Sequence, residues 1–64
     1  MVKINGISLE ASGMTVSEYL KSASYNVKRV AVERNGEIVP KAKYETVIIE
    51  DGDEIEVVSF VGGG

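Results

Sequence analysis

The fold is decided by residues 2–23, which read VKINGISLEASGMTVSEYLKSA. Apolar and polar residues alternate over Val2–Ile4 and again over Ile7–Ala11, as in strands with one buried face. The intervening Asn5-Gly6 is a strong signal for a two-residue hairpin turn. The first half of this stretch therefore predicts a β-hairpin, which ends at Ser12-Gly13.

The second half of the stretch predicts a short helix. Thr15 and Glu18 have the spacing of a capping box, which places Thr15 at the N-cap. One apolar helix face follows at the i, i+3, i+4 and i+7 positions, formed by Val16, Tyr19, Leu20 and Ala23. A single helix cannot bury such a face alone, so we expect it to lie across a sheet.

The rest of the chain predicts further strands. Arg29–Glu33 is the third strand, and a second Asn-Gly turn at Asn35-Gly36 leads into Glu37–Val39. Pro40 cannot donate to a strand ladder, so that strand is short or at a sheet edge. The remaining predicted pieces are a turn or single 3₁₀ turn at Lys41–Tyr44, an apolar segment at Val47–Ile49, a turn at Glu50–Asp53 and a last strand at Glu54–Val61.

This order predicts an α+β fold of the ubiquitin-like β-grasp type, with a mixed sheet of four to five strands packed on one helix. In that arrangement the first and last strands pair in parallel at the sheet centre. We expect residues 1–61 to form the domain and residues 62–64 a flexible glycine tail. The predicted core consists of Ile4, Leu9, Leu20, Val30, Val32, Ile49, Ile55 and Val57.

Composition narrows the function classes. The 64 residues include no cysteine and no histidine, which removes disulfides, thiolate metal sites and the commonest general base. A net charge of -3 argues against nucleic acid as a partner. No apolar run approaches the roughly 20 residues of a membrane span, and the N-terminus has no signal-peptide pattern. We expect a soluble cytoplasmic protein.

The terminal glycines are the candidate site. Gly62, Gly63 and Gly64 follow the last strand directly and carry no Cβ, so this arm can enter a channel too narrow for other residues. We expect it to deliver the Gly64 carboxylate into another protein's active site. A frayed terminus or a cloning remnant is the alternative for the glycines taken alone.

The last strand also predicts a docking surface. Ile55 and Val57 alternate with glutamates and should face the helix, which turns Val58 and Phe60 outward next to the tail. We expect Val58 and Phe60 to contact the partner that grips the tail. The alternative is that they are scattered surface hydrophobes or are covered by loops.

The acidic residues of the segment 50–56 and the three tyrosines could also have a function. Five carboxylates lie between Glu50 and Glu56, but their spacing lacks a calcium-loop pattern, and we expect no metal. A solvated hairpin that steers basic partners is the favoured interpretation. Of the tyrosines, Tyr19 is predicted in the core, and Tyr25 and Tyr44 beneath loops.

The chain as a whole resembles the ThiS family of sulfur carriers of thiamine biosynthesis. The resemblance rests on the order and spacing of four matching stretches: Val30–Asn35, Ile38–Pro40 followed by Tyr44, Glu50–Val58 and Phe60–Gly64. It implies that an ATP-dependent adenylyltransferase, related to ubiquitin-activating enzymes, adenylates the Gly64 carboxylate. Sulfur drawn from cysteine, through a donor such as a cysteine desulfurase, would then form a thiocarboxylate on Gly64 and pass to thiazole synthase.

The resemblance also implies that the chain is a protein substrate rather than an enzyme, binding no cofactor itself while its activating partner uses ATP. Three other functions stay open. The small subunit of molybdopterin synthase uses the same thiocarboxylate chemistry but is usually longer. A ubiquitin-like protein modifier would form isopeptide bonds through Gly64. An inert β-grasp adaptor would make the glycines accidental.

Overall fold

The structure is a computed structural model, and it describes residues 1–60. Val61 and the predicted tail at Gly62–Gly64 lie outside the described residues. The last strand is shorter than predicted, because it ends at Ser59, before Phe60. The described elements are β1 (Val2–Ile4), β2 (Ile7–Leu9), α1 (Val16–Ser22), β3 (Val30–Arg34), β4 (Glu37–Ile38) and β5 (Glu54–Ser59), with 3₁₀ turns at Val27–Arg29 and Lys41–Lys43.

One mixed sheet carries the fold, with strand order β2-β1-β5-β3-β4. β1 and β5 pair in parallel, whereas β1–β2, β3–β4 and β3–β5 are antiparallel. The predicted parallel pair of first and last strands at the sheet centre is therefore confirmed. β4 is a two-residue edge strand, as the nearby Pro40 predicts.

Both predicted hairpin turns are confirmed, and their asparagines take the left-handed conformation that such turns require. Asn5 and Gly6 have φ of 51° and 81°, and Asn35 and Gly36 have φ of 52° and 85°. The first hairpin is shorter than predicted, because β2 ends at Leu9 rather than at Ala11.

Helix α1 begins with the predicted capping box. The Glu18 amide donates to Thr15 Oγ1 at 3.0 Å, and the Thr15 amide donates to Glu18 Oε1 at 2.8 Å. The predicted buried position of Ala23 is wrong: Ala23 is exposed as the C-cap residue. The chain leaves the helix there because Ser24 takes a positive φ of 65°, and the Tyr25 amide returns to the Leu20 carbonyl at 2.9 Å.

Unlike Ala23 at the C-terminal end of the helix, Ser17 in its first turn is buried. Its amide donates to the Tyr44 carbonyl at 2.8 Å, so the segment after β4 covers the first turn of the helix. Tyr44 is only 2% exposed, and its hydroxyl donates to the Val30 carbonyl. Burial raises the pKa of Tyr44 above its ordinary value. Tyr19 and Tyr25 are half-buried against the core.

The core lies between α1 and the inner face of the sheet, and all but one of its predicted members are buried. The exception is Leu9, which is half-buried because β2 is an edge strand. Val47–Ile49 does not form a strand: Ile48 makes one isolated bridge with Thr15, while Ile49 is buried. Arg29 belongs to a 3₁₀ turn rather than to β3. Among the helices of residues 1–60, none is long and apolar enough to cross a membrane.

Candidate functional site

The candidate site is built on β5, the central strand of the sheet. Its start pairs in parallel with β1, where Lys3 is opposite Glu54 and Ile4 is opposite Ile55. From Ile55 to Ser59 it pairs with β3, where Arg34 is opposite Ile55 and Val30 is opposite Ser59. One residue later, the Phe60 amide donates to the Arg29 carbonyl at 2.8 Å. The segment that leads to the glycine tail is thus held to the domain as far as Phe60.

The two sides of β5 differ as the alternation predicts. Ile55 and Val57 are buried in the core, whereas Val58 is 56% exposed and Phe60 is 57% exposed. The register places the half-buried Ala31 opposite Val58. We call Ala31, Val58 and Phe60 the outer patch. The exposure of Val58 and Phe60 is as predicted, and their role in docking stays a prediction.

Acidic residues occupy the same face farther from the tail. Glu56 lies directly opposite Glu33 on β3, and Glu54 lies opposite Lys3 on β1. Like charges at directly opposed positions destabilise a strand pair. The outer face therefore passes from apolar at the outer patch to acidic beside the hairpin turns. The steering of basic partners by these carboxylates stays a prediction.

Asp53 departs from the solvated position that we expect for the acidic turn. It is buried at 6% exposure, and it accepts hydrogen bonds from Arg34 Nε at 2.7 Å, the Glu50 amide at 2.9 Å and Asn35 Nδ2 at 3.1 Å. A signal for this burial exists in the sequence, because Asp53 shares the inward phase of Ile55 and Val57.

The contacts of Asp53 also set its charge state. Burial alone would raise the pKa of Asp53, but the hydrogen bonds from Arg34, the Glu50 amide and Asn35 outweigh burial and lower it. The hydrogen bond to Asp53 raises the pKa of Arg34 in turn. This charged pair ties the turn before β5 to the end of β3, so it fixes where β5 begins.

Nothing in the described part of the chain suggests a bound metal. Within residues 1–60, no three acidic side chains come together in a way that could hold a metal ion. The predicted sulfur-bearing Gly64 and the threading residues Gly62 and Gly63 lie outside that range, so their roles stay predictions. The last described residue before the tail, Phe60, is itself part of the outer patch.

Comparison with known proteins gives the family. A family model described as "ThiS family" matches residues 2–64. The chain belongs to the ThiS family. The sulfur carrier protein ThiS of Bacillus subtilis is 41% identical over 66 residues, a match that covers 100% of both chains.

Two larger relatives are thiazole synthases. The thiazole synthase of Paramagnetospirillum magneticum is 48% identical over 54 residues, which are 84% of this chain and 17% of that protein. The thiazole synthase of Magnetococcus marinus is 38% identical over 64 residues, which are 98% of this chain and 20% of that protein. The chain spans a fifth or less of the length of these two relatives.

A solved structure of the ThiS family supports the fold. The crystal structure of the thiamine biosynthesis protein ThiS from Geobacter metallireducens superposes with a TM-score of 0.78 at 30% identity, covering 98% of this chain and 97% of that chain. This match and the sheet order together confirm the predicted β-grasp fold.

Proposed function

We propose that this chain is a sulfur carrier for thiazole formation in thiamine biosynthesis. The observation that carries the proposal is the architecture of β5 in a chain of the ThiS family. The central strand leads towards Gly62–Gly64, and the exposed Val58 and Phe60 lie on its outer face at the same end. A partner that binds the tail would therefore also contact the outer patch.

The chemistry assigned to Gly64 begins with activation, because a carboxylate is a poor electrophile. A Gly64 carboxylate oxygen attacks the α-phosphorus of ATP, which releases pyrophosphate and leaves an acyl-adenylate. The terminal sulfur of the donor's persulfide then attacks the acyl carbon and AMP leaves, which gives an acyl disulfide. A thiol attacks the donor-side sulfur of that disulfide, so that the thiocarboxylate is released and the thiol and donor are left joined as a disulfide. We assign the first step to an adenylyltransferase related to ubiquitin-activating enzymes and the supply of sulfur to a donor such as a cysteine desulfurase.

The chain's own contribution is recognition and delivery. We assign no acid, base or metal to it, and we place catalysis on the partner enzymes. Binding energy at the outer patch would hold the terminal carboxylate beside ATP, which converts an encounter in solution into a reaction within one complex. We propose that thiazole synthase then receives the sulfur, and we place the carrier in the cytoplasm, where its activating partner has ATP.

Intact-mass spectrometry tests the proposal. The purified chain is incubated with a bacterial cell extract, ATP and cysteine, and with matched mixtures that lack ATP or cysteine. We expect a mass gain equal to the replacement of one oxygen by sulfur, dependent on both additions and located on Gly64 by fragmentation. A chain that forms isopeptide conjugates would favour a protein modifier instead, and an unchanged mass would favour an inert adaptor.

A further inference from the structure

Asn5 links the first hairpin turn to the last strand. The Asn5 amide donates to the Ile55 carbonyl at 2.9 Å, which continues the parallel pairing of β1 with β5. A regular parallel ladder would next use the Asn5 carbonyl for the Val57 amide. Instead, with φ at 51°, the chain turns away, and the Val57 amide donates to the Asn5 side-chain oxygen Oδ1 at 2.8 Å.

The same side chain makes a second contact with Val57. Asn5 Nδ2 donates to the Val57 carbonyl at 3.3 Å, so the side-chain amide takes the place of a strand residue beside β5. Main-chain pairing with β1 ends at Ile55, and the Asn5 side chain extends the support by two residues. Beyond Val57, the described pairing partner of β5 is β3, through Ala31 and Val30.

The asparagine of the second hairpin turn supports β5 at a different place. Asn35 Oδ1 accepts from the Glu54 amide at 2.9 Å, and Asn35 Nδ2 donates to Asp53 Oδ1 at 3.1 Å. Asn35 therefore holds the beginning of β5, and Asn5 holds it closer to the tail. The two turns give a natural comparison, because both asparagines have nearly the same φ.

We infer that Asn5 is a positioning residue that fixes the direction in which β5 presents the tail to the activating enzyme. The inference rests on the proposed function. Phe60, the last described residue before the tail, is three residues beyond Val57. Over that stretch of about 10 Å, a change in strand direction of about 10° moves the start of the tail by roughly 2 Å. A misplacement of about 1 Å can already slow a reaction by about a hundredfold.

Three variants test this role, two of which form a matched pair. Asn5→Gly and Asn35→Gly each remove a turn asparagine's side chain, and glycine accepts the positive φ at both positions without strain. Asn5→Asp keeps an acceptor for the Val57 amide but replaces the Nδ2 donor by an oxygen that repels the Val57 carbonyl. The assay is ATP–pyrophosphate exchange by the adenylyltransferase at varied carrier concentration, with amide hydrogen exchange measured at Val57 and Ser59.

For Asn5→Gly, we expect the maximal exchange rate at saturating carrier to fall by roughly tenfold, with KM changed by less than about twofold. Amide exchange at Val57 and Ser59 should become faster. The maximal exchange rate of Asn5→Asp should lie between that of Asn5→Gly and that of the unaltered chain. Asn35→Gly should lower the melting temperature yet keep the maximal rate, because the end of β5 keeps its support.

Two results would overturn the inference while the proposed function stands. One is an unchanged maximal rate for Asn5→Gly. The other is an equal fall in the maximal exchange rate for Asn35→Gly, which would mean that general destabilisation lowers the rate. Failure of the unaltered chain to support exchange or to gain sulfur would instead overturn the proposed function, and the positioning role with it.

Discussion

Replacing Phe60 by alanine should weaken docking much more than folding. A fully enclosed phenylalanine buries roughly 150–250 Å². Because Phe60 is 57% exposed, about 100 Å² of it is left for a partner to cover. At about 25 cal/mol per Å², losing most of that contact costs about 2 kcal/mol of binding free energy, or roughly a thirtyfold rise in KM.

The effect on folding should be much smaller. A surface truncation of this kind costs less than about 1 kcal/mol of unfolding free energy, which shifts the melting temperature by less than roughly 6 °C in a domain of this size. The KM of the carrier in ATP–pyrophosphate exchange and a melting curve by circular dichroism measure the two effects separately.

Ile7→Ala is the matched control. Ile7 is 63% exposed, but it lies on the edge strand β2 and pairs with the inward-facing Ile4, away from the outer patch. We expect its KM to equal that of the unaltered chain. A KM within about twofold of the unaltered value would refute the assignment of Phe60 to docking. So would a rise in KM accompanied by an equally large loss of unfolding free energy.

Three further predictions concern the core, the charged pair and the tail. Leu20 is fully buried, so Leu20→Ala should lower the unfolding free energy by roughly 2–5 kcal/mol, measured by urea denaturation; a near-neutral result would contradict the helix orientation. Asp53→Asn should cost roughly 1–3 kcal/mol at pH 7 by breaking the contact with Arg34. The Asp53 carboxylate contributes its full stabilisation at pH values above the ordinary carboxyl pKa of about 4. Because the pKa of Asp53 is lower in the folded protein, this stabilisation is lost as pH falls through the folded pKa. The variant's melting temperature should therefore fall less steeply below about pH 4 than that of the unaltered chain. Deleting Gly64, or Gly63→Val, should abolish ATP–pyrophosphate exchange with no change in melting temperature, and full exchange by the deletion would contradict the carrier hypothesis.

The features that the sequence predicts correctly are those with short-range causes. Each Asn-Gly pair specifies its own turn, since both central residues must take positive φ. The capping box needs only Thr15 and Glu18, three residues apart. The alternation along β5 places Val57 inside and Val58 outside, because successive side chains of a strand point to opposite faces.

The candidate site is predictable to the same extent. The outward phase of Val58 and Phe60 follows from β5 alone. The same periodicity also places Asp53 inward, but an isolated carboxylate is too costly to bury, which favours a solvated turn until its partners are known. The two side-chain partners of Asp53, Arg34 and Asn35, are 19 and 18 residues away in the chain.

The sequence by itself determined the local elements and which side of β5 is buried, because these depend on neighbouring residues and on strand periodicity. Only the tertiary structure decided that Asp53 is buried and that Asn5 supports Val57, 52 residues along the chain. The burial of Asp53 depends on the antiparallel pairing of β3 with β5, which brings Arg34 and Asn35 beside it. The contact of Asn5 with Val57 depends on the parallel pairing of β1 with β5, which brings the two ends of the described chain together. A hydrogen bond between such distant residues leaves no local periodicity in the sequence, so its partners become identifiable only after the sheet has set their register.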